Sequence, residues 1–177
     1  ETSDEVFKMV FDYFKYVDDK FSTYKKTSEI TSINHGKLSE MNYSKDMIEV
    51  FELSEKTRKE TNGYFNIKKF DGTYDPSGLV KGWAIYNAVN LLKEKGVKNF
   101  YVEAGGDIET YGLNGEGLLW TVGIRNPFKN DEMVKILISN NNGIATSGNY
   151  IRGQHIYNPN NRKEKLKDIV SLTVIGP

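Results

Sequence analysis

The sequence predicts an α+β fold, with helices in the first half of the chain and mostly antiparallel strands in the second. Two observations carry this prediction. Apolar residues recur at helical spacing as far as Lys95, whereas from Val97 onward they recur at the spacing of strands. Neither half contains an internal repeat or a low-complexity tract. We therefore expect one domain in which helices pack on a largely antiparallel sheet.

Composition narrows the function classes. The chain has 177 residues, of which 38% are hydrophobic and 12% aromatic, so it can bury a core. Its 24 basic and 24 acidic residues balance, which gives no support for binding nucleic acid or an anionic membrane surface. The absence of cysteine excludes disulfides and thiolate metal sites. No apolar run approaches a membrane span. The chain opens at Glu1 without a methionine, so a missing export signal excludes nothing.

The first two helices are predicted from apolar stripes and capping residues. A helix is expected from Ser3 to Phe21, with its apolar stripe in the core. Ser28 or Thr31 is expected to cap a short turn. Ser44 opens a second long helix that ends near Asn62-Gly63, where a left-handed turn is expected. The first stripe consists of Val6, Phe7, Val10, Phe11, Phe14, Val17 and Phe21, and the second of Met47, Ile48, Phe51 and Ser54.

The remaining elements follow from changes of period and from turn residues. A short strand is predicted over residues 64–67, and Asp71-Gly72 is expected to form a turn. Ser77 is the predicted N-cap of a helix that runs to Lys95, and Gly96 is its predicted C-terminal stop. Strands are expected over residues 99–104, 108–112, 118–124, 134–138 and 169–175, with the second continuing the first through Gly105-Gly106-Asp107.

The stretch Asp75 to Trp83 is the strongest candidate site. Asp75 to Gly78 lie at a helix N-terminus, and Lys81 follows one turn later. Free backbone N–H groups, the helix dipole and a lysine then converge, an arrangement that binds anions and phosphates. Gly78 and Gly82 lack Cβ atoms and permit the close approach of a ligand or another backbone. The structural alternative is an ordinary capped amphipathic helix packed on a sheet.

Two further clusters combine glycine with polar side chains. They are Gly105-Gly106-Asp107 and Thr146-Ser147-Gly148, the latter followed by His155. Hydroxyls beside glycine suit a phosphate or a ribityl chain, although a glycine pair at the end of a strand is also typical of a simple turn. The lysine near Gly78 lacks the context of a Walker loop, and no dinucleotide-binding glycine motif follows a strand.

Taken together and in this order, these clusters and the motifs around them resemble the ApbE family, the FAD:protein FMN transferases. The resemblance runs from about Phe7 to Ile175. The matching stretches are Phe21-Ser22-Thr23-Tyr24, Ser28-Glu29-Ile30, Ile33-Asn34, Thr61 to Phe65, Asp75 to Gly82, Glu103 to Asp107, Ile124 to Pro127, Ala145 to Tyr150 and His155-Ile156.

The resemblance implies an ApbE-like, T-fold-like α/β sandwich and a transferase that uses FAD and Mg²⁺. Such an enzyme splits the pyrophosphate of FAD, releases AMP, and attaches FMN by a phosphoester to a threonine of a target flavoprotein. By resemblance the target is a subunit of a membrane redox complex. The resemblance also implies an exported enzyme anchored on the outer face of the cytoplasmic membrane. Phosphoryl transfer depends mainly on positioning and charge neutralisation, which these residues can supply.

Site residues follow from the resemblance, position by position. Asp75 and Lys81 match residues that contact FAD, and Gly78 matches a main-chain carbonyl that ligates magnesium. His155 matches a proposed catalytic base, and the near-neutral pKa of a free imidazole suits that role. A histidine that only braces its loop is the alternative. The other matching cofactor contacts are Tyr24, Tyr64, Phe65, Asn66, Asp107, Ser147 and Tyr157. Packing in a core or interface is the alternative for Tyr24 and Tyr64.

Three departures from the family are expected. We expect a single domain over residues 1–177 that lacks the family's N-terminal strand and also lacks its C-terminal segment with the magnesium-binding aspartate and threonine. The family's Asp-Pro after the histidine motif is Asn158-Pro159 here. Two alternatives to the transferase therefore stay open. One is a flavin-binding domain that no longer transfers FMN, and the other is a fragment that binds flavin weakly.

Overall fold

The computed structural model describes residues 3–129, 131–148, 158 and 169–176. The chain divides into two compact units, Glu1–Ala84 and Ile85–Pro177. Helices dominate the first unit, and antiparallel strands dominate the second. The predicted α+β class is therefore confirmed. No helix within the described ranges is long and apolar enough to cross a membrane.

The first unit contains α1 (Ser3–Phe21), α2 (Glu29–Asn34), a short 3₁₀ helix (Glu40–Asn42), α3 (Lys45–Glu60) and the start of α4 (Ser77–Glu94). Ser28 caps α2, because its hydroxyl accepts a hydrogen bond from the Thr31 N–H at 3.1 Å. Ser44 caps α3 in the same way, accepting from the Met47 N–H at 3.3 Å. Of the two candidates for the first cap, Ser28 and not Thr31 forms it, and the predicted Ser44 cap is confirmed. Helix α3 ends at a left-handed Asn62 (φ 51°) and Gly63 (φ 84°).

The core of the first unit uses only part of each predicted stripe. Val17 and Phe21 of α1 are buried, whereas Phe7 is 65% and Phe11 71% exposed. The expectation that the whole α1 stripe lies in the core is wrong, because periodicity identifies an apolar face without showing what covers it. On α3, Val50 is buried in place of Ile48. The buried core cluster comprises Val17, Phe21, Ile30, Ile33, Met47, Val50, Val80, Trp83 and Ala84.

The predicted strand over residues 64–67 is wrong. These residues form a turn and bends, and only an isolated bridge joins Lys68 to Tyr74. The bridge closes a tight turn around Gly72 (φ 85°), in which the Asp71 carboxylate accepts from the Thr73 N–H at 2.9 Å. The chain returns from α3 to α4 within this turn, and no strand in the first unit's described residues offers these residues a ladder of hydrogen bonds.

Helix α4 starts differently from the prediction but ends as predicted. The Val80 N–H bonds to the Pro76 carbonyl at 2.9 Å, so Pro76 takes the N-cap position and the prediction of Ser77 as N-cap is wrong. At the other end, Gly96 has φ 75° and its N–H bonds to the Lys93 carbonyl at 2.9 Å. The Val97 N–H bonds to the Leu92 carbonyl at 3.1 Å. This Schellman motif confirms the predicted glycine stop.

The second unit contains two antiparallel sheets. Their strands are β1 (Phe100–Ala104), β2 (Asp107–Tyr111), β3 (Trp120–Arg125), β4 (Met133–Ser139), β5 (Gly143–Gly148) and β6 (Ser171–Gly176). One sheet has the order β1-β2-β5-β6, and β3 pairs with β4 in the other. The small residues of β5 gave no strand pattern, yet it pairs on both sides, with Ile108 of β2 and with β6. Its backbone pairing outweighs its weak propensity.

Candidate functional site

The start of α4 holds three of the predicted site residues. Asp75 is half-buried, and its Oδ1 accepts from the Ser77 N–H at 3.3 Å. Its other carboxylate oxygen lies 3.6 Å from the Lys69 ammonium. Gly78 is exposed in the first turn, and Lys81 is half-buried one turn later. The anionic Asp75 thus precedes the positive end of the helix dipole, with a lysine on either side of it in sequence.

Gly78 and Phe65 lie against each other. A Cβ built on Gly78 would stand 3.3 Å from Cε2 of the Phe65 ring. The missing methyl group therefore lets the half-buried ring approach the first turn of α4. The structure brings a residue predicted to line the flavin next to the residue predicted to offer a carbonyl to magnesium. Apart from the backbone of its own helix, no described atom lies within 4 Å of the Cβ position of Gly82, so the described residues make no close approach there.

Tyr24 and Tyr64 present their rings to solvent. Tyr24 is 96% exposed and Tyr64 62% exposed. Packing in a core is therefore excluded for these two rings, packing in an interface stays the alternative, and both rings are accessible to a planar ligand in this chain. Asn66 is also exposed, and its side-chain oxygen accepts from the Lys68 N–H at 2.9 Å, which fixes the start of the 67–75 turn.

The loop that carries Tyr24 is fixed by a buried serine. The Ser28 side chain is fully buried, and its hydroxyl donates to the Ser22 carbonyl at 2.7 Å. The Ser28 N–H donates to the Lys25 carbonyl at 3.2 Å. The same residue caps α2, so one serine joins the helix start to both ends of the Tyr24 loop. An exposed aromatic ring is thereby held on a defined backbone.

A polar cluster joins α1, α2 and α3. The Lys20 ammonium lies 3.1 Å from Asp46 and 3.8 Å from Glu29, and the Tyr16 hydroxyl donates to Asp46. Burial alone would raise the pKa of Asp46, but the hydrogen bonds from Tyr16 and Lys20 lower it below its usual value. Burial lowers the pKa of Lys20, and its bonds to Tyr16 and Asp46 more than offset this and raise it. Glu29 also accepts from the Ser44 N–H at 2.7 Å.

In the second unit, Gly105-Gly106 forms the turn between β1 and β2. Both glycines have positive φ, 57° and 90°, as a tight hairpin requires. The prediction that residues 108–112 continue the preceding strand is wrong, because the chain reverses here and Ala104 pairs with Asp107. The turn alternative for the glycine pair is confirmed.

Asp107 connects this hairpin to the Thr146-Ser147-Gly148 cluster. It is only 8% exposed, and its Oδ1 accepts from the Thr146 N–H at 3.1 Å. The Thr146 hydroxyl bonds to that of Thr173 on β6 at 2.9 Å, whereas Ser147 is exposed. The two polar-glycine clusters of the second unit therefore meet. Nearby on β2, burial raises the pKa of Glu109, an effect that Lys93 partly opposes.

Two predicted residues, His155 and Tyr157, lie outside the described residues. The predicted magnesium ligand, the Gly78 carbonyl, stands at an exposed position. Among the described residues, no three His, Cys, Asp or Glu side chains are grouped so that they could hold a metal ion. The described side chains thus do not complete an oxygen-rich magnesium site around that carbonyl.

Lys69 is a candidate site residue that the sequence did not indicate. It follows Lys68 in a charged turn and carries no motif. Its ammonium reaches Asp75 because the Lys69 N–H bonds to the Thr73 carbonyl at 2.7 Å and closes the turn. The Asp75 N–H bonds to the Ile67 carbonyl at 2.7 Å, and this second hydrogen bond holds the two sides of the turn together.

Curated proteins of similar sequence share one description. The FAD:protein FMN transferase of Escherichia coli K12 is 32% identical over 112 residues, which are 58% of this chain and 32% of the relative. The enzyme of the same description from Vibrio cholerae is 33% identical over 110 residues, or 57% of this chain and 33% of the relative. The matched region thus spans about a third of the length of these relatives.

Solved structures confirm the fold. The flavin transferase ApbE from Vibrio cholerae superposes with a TM-score of 0.87 at 22% identity, covering 99% of this chain and 74% of the other. The apbe protein from Thermotoga maritima gives a TM-score of 0.86 at 17% identity, with the same coverage of both chains. A sequence model of the ApbE family matches residues 2–70 and 68–177. The chain therefore belongs to the ApbE family.

Proposed function

We propose that this chain acts as an FAD:protein FMN transferase. The observation that carries the proposal is the close approach of the Phe65 ring to Gly78 at the start of α4, where an added Cβ would lie 3.3 Å from the ring. It joins a helix N-terminus suited to a pyrophosphate with an aromatic side chain suited to a flavin. Family membership and the activity by which the curated relatives are named support the same proposal.

The proposed reaction transfers FMN from FAD to a threonine. The threonine hydroxyl attacks the phosphorus on the FMN side of the pyrophosphate, a phosphoester bond forms, and the bond to the AMP phosphate breaks. Lys81 and the positive end of the α4 dipole at Gly78 would hold the phosphate oxygens. Asp75 would orient Lys69 beside them. His155 would take the proton of the attacking hydroxyl, as a base must lie within about 2.6–3.2 Å of that proton's oxygen or act through one water.

Magnesium belongs to this proposal through the family resemblance, with the main-chain carbonyl of Gly78 as its one named ligand. When bound at a pyrophosphate, the ion supplies neutralisation of negative charge. The acceptor is proposed to be a threonine of a membrane redox flavoprotein, and the chain is proposed to work on the outer face of the cytoplasmic membrane. Both of these proposals rest on the resemblance.

The test incubates the chain with FAD, with and without Mg²⁺ and a threonine-containing target peptide. If the proposal is right, chromatography detects released AMP, and the mass of the target peptide increases by that of the FMN group. A non-catalytic flavin-binding domain would quench FAD fluorescence without releasing AMP. A fragment that cannot hold flavin would do neither, and either result rejects the transferase.

His155→Ala separates chemistry from binding. If His155 is the base, the variant keeps FAD affinity and loses about a hundredfold to ten-thousandfold in transfer rate. If it braces its loop, FAD affinity and thermal stability fall together. The exposed His35 lies in a loop without a motif, so His35→Ala is the matched control and should transfer FMN at the wild-type rate.

A further inference from the structure

Asn34, the last residue of α2, makes two hydrogen bonds to a single residue forty positions later. Its Nδ2 donates to the Tyr74 carbonyl at 2.9 Å, and its Oδ1 accepts from the Tyr74 N–H at 2.7 Å. One side-chain amide therefore satisfies both backbone polar groups of Tyr74, as a neighbouring strand would. The motif Ile33-Asn34 belongs to the family resemblance, but no role in the proposed reaction has been attached to it.

These two hydrogen bonds between Asn34 and Tyr74 are called the clamp below. Tyr74 immediately precedes the candidate site. Tyr74 is followed by Asp75, by the fully buried Pro76 and then by the first turn of α4 with Gly78. The ring of Tyr74 packs against Phe51 of α3 with 4.9 Å between centroids. Tyr74 is thus held by its ring on one side and by its backbone on the other. The rotation of its peptide groups, and with it the direction of Asp75, is fixed from outside the α4 helix.

We infer that Asn34 is a positioning residue that orients the Asp75–Gly78 segment for binding the pyrophosphate of FAD. The inference rests on the proposed function, since it assigns Asn34 to the same site. Asn34 would not touch the ligand. It would act by keeping Asp75 and the first turn of α4 in the orientation that the ligand requires, so that the protein loses less conformational freedom when FAD binds.

The experiment compares Asn34→Ala with Ser44→Ala and Asn42→Ala. Ser44→Ala removes the N-cap of α3 and is expected to lower stability without touching the α4 start. Asn42→Ala removes an exposed amide whose described hydrogen bond is to the Ser39 hydroxyl. FAD affinity is titrated by fluorescence in folded protein, and unfolding is followed by circular dichroism. Asn34→Ala is expected to weaken FAD binding about tenfold or more. The two controls are expected to bind as the wild type does.

Amide hydrogen exchange gives a second readout that does not depend on FAD. In Asn34→Ala the Tyr74 N–H should exchange at least about tenfold faster, because its acceptor is gone. The Ser44 N–H, which donates to Glu29, should keep its rate. If the Tyr74 N–H exchanges at the wild-type rate in Asn34→Ala, Asn34 does not protect it and the clamp is disproved. Faster exchange with unchanged FAD affinity overturns its positioning role. Wild-type protein that binds no FAD overturns the proposed function and the role of Asn34 in ligand binding, while the exchange data still decide the clamp.

Discussion

The carboxylate of Asp107 accepts a hydrogen bond from the backbone N–H of Thr146 at 3.1 Å, although the two residues are thirty-nine positions apart. Asp107 begins β2 directly after the Gly105-Gly106 turn, and Thr146 lies in β5 beside Ser147. A largely buried carboxylate thus joins the two glycine clusters of the second unit. Its removal would leave a backbone donor without this acceptor.

Asp107→Ala is expected to destabilise the protein by about 1–3 kcal/mol, the cost of an unsatisfied donor. Asp107→Asn keeps an oxygen that can accept from Thr146 and should cost less. Urea unfolding measures both free energies. Asp131 is exposed, so Asp131→Asn is the control and should change stability little. Equal stability of Asp107→Ala and wild type would show that the bond contributes nothing.

Lys81→Ala is expected to weaken FAD binding about tenfold to a hundredfold, because a hydrogen bond to a charged group contributes roughly 1.5–3 kcal/mol. The residue is half-buried one turn into α4, where the proposed pyrophosphate site lies. Fluorescence titration gives the affinity. Lys45 is exposed at the start of α3, and Lys45→Ala should bind like the wild type. An unchanged affinity of Lys81→Ala would remove the lysine from the site.

Tyr24→Ala should lower FAD affinity without lowering stability. The ring is 96% exposed, so its removal breaks no packing, whereas an aromatic pair with a bound ring system contributes about 0.5–1.5 kcal/mol. Tyr24→Phe keeps the ring and should retain most of the affinity. Titration with FAD and a thermal melt of each variant separate the two effects. A loss of stability equal to the loss of affinity would indicate a structural role.

The hydrogen bonds to Asp46 predict that the free energy of unfolding falls at acidic pH. The pKa of Asp46 in the folded state lies below its usual value, so its contribution is present above about pH 4 and is lost as pH falls through the folded-state pKa. Asp46→Asn should therefore lose stability at pH 7 and show a smaller further loss on acidification than the wild type. Urea unfolding between pH 7 and pH 3 measures this.

Glu52 is exposed on α3, the same helix that Asp46 begins, and Glu52→Gln serves as the control. The free energy of unfolding of Glu52→Gln should change with pH as that of the wild type does. If Asp46→Asn and wild type lose stability in parallel between pH 7 and pH 3, the hydrogen bonds from Tyr16 and Lys20 do not stabilise the folded state in this range.

Several helix ends are set by local chemistry and can be predicted from the sequence. Ser44 predicted a helix start and Ser28 was one of two candidates to cap a short turn, because a hydroxyl at an N-cap satisfies a free backbone donor. Gly96 predicted a helix end, because only a residue that tolerates positive φ forms the Schellman turn. The order of the motifs along the chain also indicates the ApbE family.

Which residues come into contact depends on the tertiary fold. Phe7 and Phe11 share a stripe with the buried Phe21, yet only Phe21 finds covering side chains. The residues of β5 have a low β-strand propensity, so the sequence did not predict this strand. It forms because it pairs with β2 and β6, which are distant in sequence. The bonds from Asn34 to Tyr74 and from Asp107 to Thr146 likewise join residues about forty positions apart. Such contacts depend on how the chain closes its loops, which local sequence patterns do not encode.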